Sequence, residues 1–528
     1  MDPRSVQTAS PARVFKSDLW GHDVRTSSDD CITFLNKYYI QVLSYGREKR
    51  VILQAADADR GCALACSLAA AFLWAPRRTQ PFAPSTLEYL TAAKANLGMA
   101  SSYEKLVVSA LVAWMERSYE DAVAKHFEIL EQYPKDLLTL KRGQTLCFTL
   151  GWSEAMLALA LKALPSNLGS PYIFGMLAFA LVEVGSIREA ESAGRLALTI
   201  EAQDVWAQHA LCHALEYQCR FKEALTLMTG FCSSWFTCCS FMREHNWWHV
   251  ANCQLELGGG RALEKVLSLY DEHIWGTQQE SKSPQKCINA LGLLLRLETR
   301  LQRSIIDSRI LQVVSALKEP AFRHQELLLH VLSVWAFSRA DQFKEASEML
   351  NNVKCRARAV EGLKQETLHC VTSLAVAMYN YGRENFVAVA DALGPSFSIS
   401  NMKALGASNE QLEVFDDVWC IAFVRAGRAQ EVVEVAQRCT REREWSPFSS
   451  RILEEAYAKS GRSIDAHFAG SKAMALVIAA ENGSDEKMTY SSLMDERDFH
   501  SGTEEWTLDK KKASFLLEEL WLRRSDSL

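Results

Sequence analysis

One spacing constrains this chain more than any other feature: a short pattern returns about every 34 residues. An aromatic or Ile residue, two polar residues and an Ala occur as Tyr119-Glu120-Asp121-Ala122, Trp152-Ser153-Glu154-Ala155, Ile187-Arg188-Glu189-Ala190 and Phe221-Lys222-Glu223-Ala224. The alanines lie 33, 35 and 34 residues apart. Twelve positions before each stands a small residue: Ala110, Gly143, Ala178 or Cys212. Two helices that cross closely need a small side chain on each at the crossing. Phe343-Lys344-Glu345-Ala346 repeats the pattern later, and Gly427-Arg428 and Gly461-Arg462 are again 34 apart. Apolar residues such as Leu177, Phe179, Leu181 and Val184 recur at helical spacing, and Pro134, Pro165 and Pro171 fall where helices should stop. Alternating runs long enough for strands are absent. One such helix pair cannot bury its apolar face alone, so copies stack into a continuous core.

Composition narrows the class. The chain has 528 residues, 58 basic and 64 acidic side chains and a net charge of −6; 48% of residues are apolar. This excludes disordered, collagen-like and strongly basic chains, and it leads us to expect no nucleic-acid partner. The fifteen cysteines include no Cys-x-x-Cys pair, and Cys147, Cys212 and Cys253 fall in apolar helical stretches. Reduced thiols and a cytoplasmic location are expected. The start, Met1 to Asp18, lacks the apolar core of a secretory signal. The longest nearly uncharged apolar run, Cys62 to Ala75, is 14 residues, short of the ~20 a membrane span needs. No membrane partner is expected, and the oligomeric state stays open.

With these residues in view, the chain resembles the tetratricopeptide repeat, through the small–Gly–aromatic–Ala pattern and through Pro134, which closes one copy. The expected fold is an all-α, right-handed superhelix of about twelve helix pairs. A polar lead-in occupies 1–27, repeats with a concave His/Trp groove 28–275, and degenerate repeats 276–482. A polar linker follows at 483–508. The stretch 509–528 reads as an amphipathic capping helix carrying Phe515, Leu516, Leu520 and Trp521. The string Asp204-Val205-Trp206-Ala207-Gln208-His209-Ala210 is similar to the tetratricopeptide repeat protein 38 family. So are His245-Asn246-Trp247-Trp248-His249, Trp20-Gly21 and Tyr45-Gly46-Arg47-Glu48, and the resemblance runs over roughly 20–480. It implies a cytosolic repeat protein and no assigned reaction.

Four of the twelve histidines form two i, i+4 pairs, His209/His213 and His245/His249, one repeat apart. Each pair shares a helix face, and neighbouring helices ~8–10 Å apart would let the imidazoles meet. The resemblance also implies that the first helix of each pair lines a groove. That places Trp206, His209, His213, Glu216 and Tyr217 on the lining, with Tyr172, Gly175, Phe179, Val182 and Glu183 from the preceding copy. For the following copy, anchoring on Gly258 gives His245, Trp248, Asn252, Leu255 and Glu256. Anchoring on the histidines aligns His245 and His249 with His209 and His213. The Gly258-Gly259-Gly260 turn leaves both registers open.

Three readings of this cluster stand side by side. The histidines are neutral core residues. Or the groove binds a peptide, protein or small molecule through Tyr172, Phe179, Trp206, His209, His213, Glu216, Tyr217, His245, Trp248 and Asn252, its acids favouring a cationic ligand. Or His209, His213, His245, His249 and Glu216 do proton or metal-assisted chemistry, with Glu216 or Glu244 in support. The expectation is a binding scaffold, with no cofactor and no metal; the small-molecule enzyme or metal-binding protein is the alternative. Phosphate-loop and nucleophile-elbow motifs are absent.

Overall fold

The structure, a computed structural model, describes residues 14–75, 81–259, 261–276, 282–301, 303–319, 326–359, 365–442 and 446–481. The expected linker 483–508, the C-terminal helix 509–528 and Gly260 lie outside the described residues.

The chain opens with an antiparallel pair, β1 (Phe15–Ser17) and β2 (Asp23–Arg25). Strands of three residues show no alternation, so the sequence pattern gave no sign of them. The loop between them is tied by Asp18, whose Oδ1 accepts from the Trp20 and His22 backbone amides at 3.0 and 2.8 Å. Helices then run in order: α1 (Asp29–Leu43), α2 (Val51–Ala58), α3 (Ala63–Trp74) and α4 (Pro84–Asn96). The regular repeat follows as α5 (Ser102–Met115) with α6 (Tyr119–Gln132), α7 (Leu137–Leu150) with α8 (Ser153–Ala163), and α9 (Ile173–Glu183) with α10 (Ile187–Ile200). Next come α11 (Val205–Tyr217) with α12 (Phe221–Phe231), and α13 (Ser240–Leu257) with α14 (Ala262–Leu269). Five more pairs complete the described chain. These are α15 (Pro284–Arg300) with α16 (Asp307–Leu317), α17 (Leu327–Arg339) with α18 (Phe343–Ala359), and α19 (Gln365–Gly382) with α20 (Phe386–Leu393). The last are α21 (Asn409–Arg425) with α22 (Ala429–Glu442) and α23 (Pro447–Lys459) with α24 (Ser463–Glu481). The fold is all-α and built from helix pairs, as the period requires.

The turn inside the pair carries the period. Arg117, Gly151, Gly185 and Cys219 stand 34 residues apart, and all take the left-handed backbone, with φ of 68°, 74°, 81° and 54°. After each, the next amide donates to the carbonyl five residues back, as from Ser118 to Ala113 and from Arg220 to Leu215, both at 2.9 Å. This helix-ending motif satisfies carbonyls that the helix itself leaves open. Asp341, Glu384, Gly427 and Gly461 repeat it. The turn also corrects one register. Counted from Gly151, the position filled elsewhere by a buried Ala belongs to Met156, which is buried, whereas Ala155 is half-exposed.

The chain forms two compact units, Met1–Leu146 with Ala158–Asn167, and Cys147–Leu157 with Leu168–Leu528. The first buries Leu35, Tyr39, Ile52, Leu64, Trp74 and Leu111. Within it, Gly143 meets α6 and α8 so closely that a Cβ would lie 2.9 Å from Leu159 Cδ1 and 3.2 Å from His126 Cβ. The second unit is centred on Trp248, Leu291, Trp335 and Trp419. The described cysteines are free thiols. No helix among the described residues is long and apolar enough to cross a membrane.

His126 gives this packing a pH signature. Its Nδ1–H donates to the Ala122 carbonyl at 2.6 Å. Burial pulls the imidazole down from 6.5 to about 4, against that hydrogen bond and with the help of Arg142. The unfolded chain therefore takes up this proton first, so stability is full above about 6.5 and is lost as pH falls towards about 4. Urea unfolding of the wild type should lose about 2–3 kcal/mol more than His126→Gln between pH 7 and 4.5. Equal losses would contradict the assignment.

Candidate functional site

Both histidine pairs sit on first helices of successive copies. Asp204 starts α11 by accepting from the Trp206 and Ala207 amides at 3.0 and 3.2 Å. That cap fixes the helix phase and turns His209, His213 and Glu216 inward, where all three are buried. Helix α13 ends at Gly258, with φ of 70° and, among the described residues, none of the turn hydrogen bonding of its predecessors. Its extra length is taken up at that end, so the histidine register holds at the centre. Asn252, like Glu216 in α11, lies a turn beyond its helix's second histidine.

The four imidazoles meet. Ring centroids lie 4.3 Å apart for His209 and His213, 5.0 Å for His209 and His245, and 5.0 Å for His209 and His249. They are 4.5 Å apart for His213 and His249, and 4.9 Å for His245 and His249. One ring nitrogen from each lies within 4.8 Å of the others. The Nε2 atoms of His209 and His213 are 2.9 Å apart. Outer partners hold three of the rings by Nδ1. His213 Nδ1 lies 2.6 Å from Glu410 Oε2, His249 Nδ1 donates to Glu216 Oε2 at 2.7 Å, and His245 Nδ1 donates to Asn289 Oδ1 at 2.9 Å. Glu216 Oε1 also accepts from Asn252 Nδ2 and Cys253 Sγ, both at 3.3 Å.

Burial and charge divide these groups. Burial alone would raise the Glu410 carboxyl, but His213 beside it brings it down to about 2. Burial alone would lower His213; the carboxylates of Glu410, Glu216 and Glu183 lift it above its ordinary value instead. The two form an ion pair. Burial raises Glu216 to about 7, with His213 opposing. Burial, with His249 as the next contributor, takes His245 down to about 3. His249 is held well below its usual range by burial and by His213.

Aromatic rings wall the centre. Trp206 stacks on His209 at 4.7 Å, and Phe179 lies 4.6 Å from Trp206. Trp248 and Phe241 both stack on His245, at 5.5 and 5.8 Å. Trp206 and Phe241 are half-buried, whereas Phe179 and Trp248 are buried. Tyr172 stands at the N-cap of α9 with a left-handed backbone, φ 77°. Tyr217 ends α11, where Asn409 Nδ2 donates to its hydroxyl. Neither ring joins the imidazole cluster.

Sequence reasoning missed what lies across from the first helices. Glu410 and Asn409 begin α21, Lys403 precedes it, and Asn289 and Arg296 belong to α15. The Ser408/Gln411 capping box is legible as a helix start. Nothing in the sequence indicates that this helix returns to α11. These residues also correct the expected acidic groove. Glu183 pairs with Lys403 at 2.6 Å and Glu256 with Arg300, so two of the three expected acids are matched by cations, while Glu216 accepts from His249, Asn252 and Cys253.

No known protein family matches the chain. Among solved structures it is similar to the human IFIT1 dimer with m7Gppp-AAAA, at 14% identity over 85% of this chain and 91% of that one, with a TM-score of 0.36. It is similar to Naa15/Naa10 bound to HypK-THB at 14% identity, over 71% and 64% of the two chains, with a TM-score of 0.22. A third is the P58(IPK) TPR domain, at 13% identity over 79% and 99%, with a TM-score of 0.21. None of these likenesses carries a function to this chain.

The pair of Glu256 and Arg300 is buried on both sides, and Ser446 Oγ donates to Glu256 at 3.1 Å. Removing Arg300 takes from the buried Glu256 the cation that offsets its charge. Arg300→Ala should cost about 3–5 kcal/mol in denaturant unfolding, and Glu256→Met with Arg300→Met far less. Equal losses in the two variants would contradict the pairing.

Proposed function

We propose that this chain is a helical-repeat binding protein that holds a small ligand, ion or molecule, at the imidazole–carboxylate centre of α11, α13 and α21. One observation carries the reading: four imidazoles on two repeats converge where side chains are buried, walled by aromatic rings. A peptide scaffold needs an open lining, whereas Glu183, His213 and Tyr217 are each engaged by a residue from 403–410. Concave sites with a few convergent polar groups on apolar walls suit small ligands. The half-buried rings of Trp206 and Phe241, stacked over His209 and His245, mark the side from which a ligand enters.

The kinship with the tetratricopeptide repeat protein 38 family belongs to the same proposal, because the strings 204–210 and 245–249 that carry it build this centre. So does the alternative of catalysis by these histidines with Glu216. The net charge of −6 leads us to expect no nucleic-acid ligand.

Freshly purified full-length protein, weighed by mass spectrometry under native and then denaturing conditions, should show an excess mass only in the native state. Trp206→Ala with His245→Ala should lose it. Identical masses in the two states would overturn the proposal. A short capped RNA in a filter-binding assay should not be retained; saturable retention would move the ligand class to nucleic acid.

A further inference from the structure

We infer that His209, His213, His245 and His249 are the ligands of one divalent transition-metal ion of the zinc class, the inference resting on the interior binding centre proposed above and naming its occupant. Neutral imidazole nitrogens suit zinc and its borderline neighbours, not calcium or magnesium, which take oxygen.

Geometry comes first. A tetrahedral ion with metal–nitrogen bonds of about 2.0–2.1 Å sets its four nitrogens about 3.3 Å apart. Here one nitrogen from each imidazole lies within 4.8 Å of the rest, and the His209 and His213 Nε2 atoms are 2.9 Å apart. The observed spread brackets the required distance. Modest rotations about side-chain bonds bring the set to it, and the ion takes the place of the contact between the two Nε2 atoms. The i, i+4 spacing on each of two adjacent helices supplies the four ligands from rigid backbone.

The outer contacts are those a metal ligand needs. Metal-bound histidines donate the other ring N–H to a carboxylate or carbonyl, which fixes the tautomer and aims the lone pair. Glu216 and Asn289 accept from Nδ1 of His249 and His245 in that manner, and Glu410 Oε2 lies 2.6 Å from Nδ1 of His213. With Nδ1–H donating, Nε2 of His245 and of His249 presents a lone pair, and at His213 the ion displaces the proton from Nε2. Among the described residues His249 Nε2 is buried with no hydrogen-bond partner. A buried polar atom left so carries a desolvation cost that an ion would remove. Two carboxylates one bond network away from the ligands offset a dication's charge.

The neighbouring group of Cys212, Glu216 and Cys253 also clusters. It is the weaker candidate, because both oxygens of Glu216 already accept hydrogen bonds, from His249, Asn252 and Cys253.

The test uses full-length protein stripped with a chelator, checked for helix content and titrated with Co2+ as a visible probe. The expected result is one equivalent bound, with the strong visible bands of a four-coordinate nitrogen site, displaced by one equivalent of Zn2+. His245→Ala with His249→Ala should abolish the bands, and Glu410→Gln should weaken binding 10–100-fold. Wild-type protein that retains its helices and takes up no Co2+ would overturn the inference. So would a folded double variant that binds as wild type does. If the double variant does not fold, the wild-type spectrum and stoichiometry decide. A native mass excess that survives the chelator and is organic would overturn the metal and leave the interior binding centre standing; no excess and no Co2+ uptake would remove both.

Discussion

Inside the second unit an ion pair closes between His213 of α11 and Glu410 of α21, both buried. Two buried charges are tolerable only when each satisfies the other and the remaining polar atoms find partners. Other buried polar groups gather around this pair. His213 leans on His209 through Nε2, His249 is held by Glu216, and Arg296 donates to the Glu410 carbonyl. The same contact ties the repeat helices to a helix nearly two hundred residues further along the chain. Lys403 with Glu183 and Arg300 with Glu256 repeat the device on either side of it.

These pairs lie along the inner faces of the repeat helices. An array whose inner face carries unpaired polar groups offers a long open lining. Here the inner faces of α9, α11 and α13 are engaged by residues from α15, α21 and the turn before α21. Among these contacts lie the four imidazoles, with Phe179, Trp206, Phe241 and Trp248 around them. The aromatic walls lower the local polarity, which strengthens each charge interaction inside.

Much of the fold was legible in the sequence, because period and side-chain size are local properties. The alanines near 34-residue intervals marked the helix pairs, and Gly143 marked a close crossing that the structure contains. The register at Ala155 was read one residue early, because the left-handed turn at Gly151, not the Ala, sets the repeat. The three-residue strands left no period to detect. The meeting of the two histidine pairs was also legible, from i, i+4 spacing and a one-repeat offset. Their partners were not: Glu410, Asn289 and Lys403 come from distant sequence, and no local pattern encodes which helices meet across an interior. Two of the acids expected on the lining, Glu183 and Glu256, are paired with cations that were hidden for the same reason, since Lys403 and Arg300 are equally remote.

If one ion sits among the four imidazole nitrogens, its coordination shell shows it. X-ray absorption at the zinc edge of the reconstituted full-length protein reads that most directly. The expected result is a shell of four nitrogens at about 2.0–2.1 Å, with the outer scattering of imidazole rings. A shell containing sulfur at about 2.3 Å would contradict it and assign the ion to Cys212 and Cys253 instead.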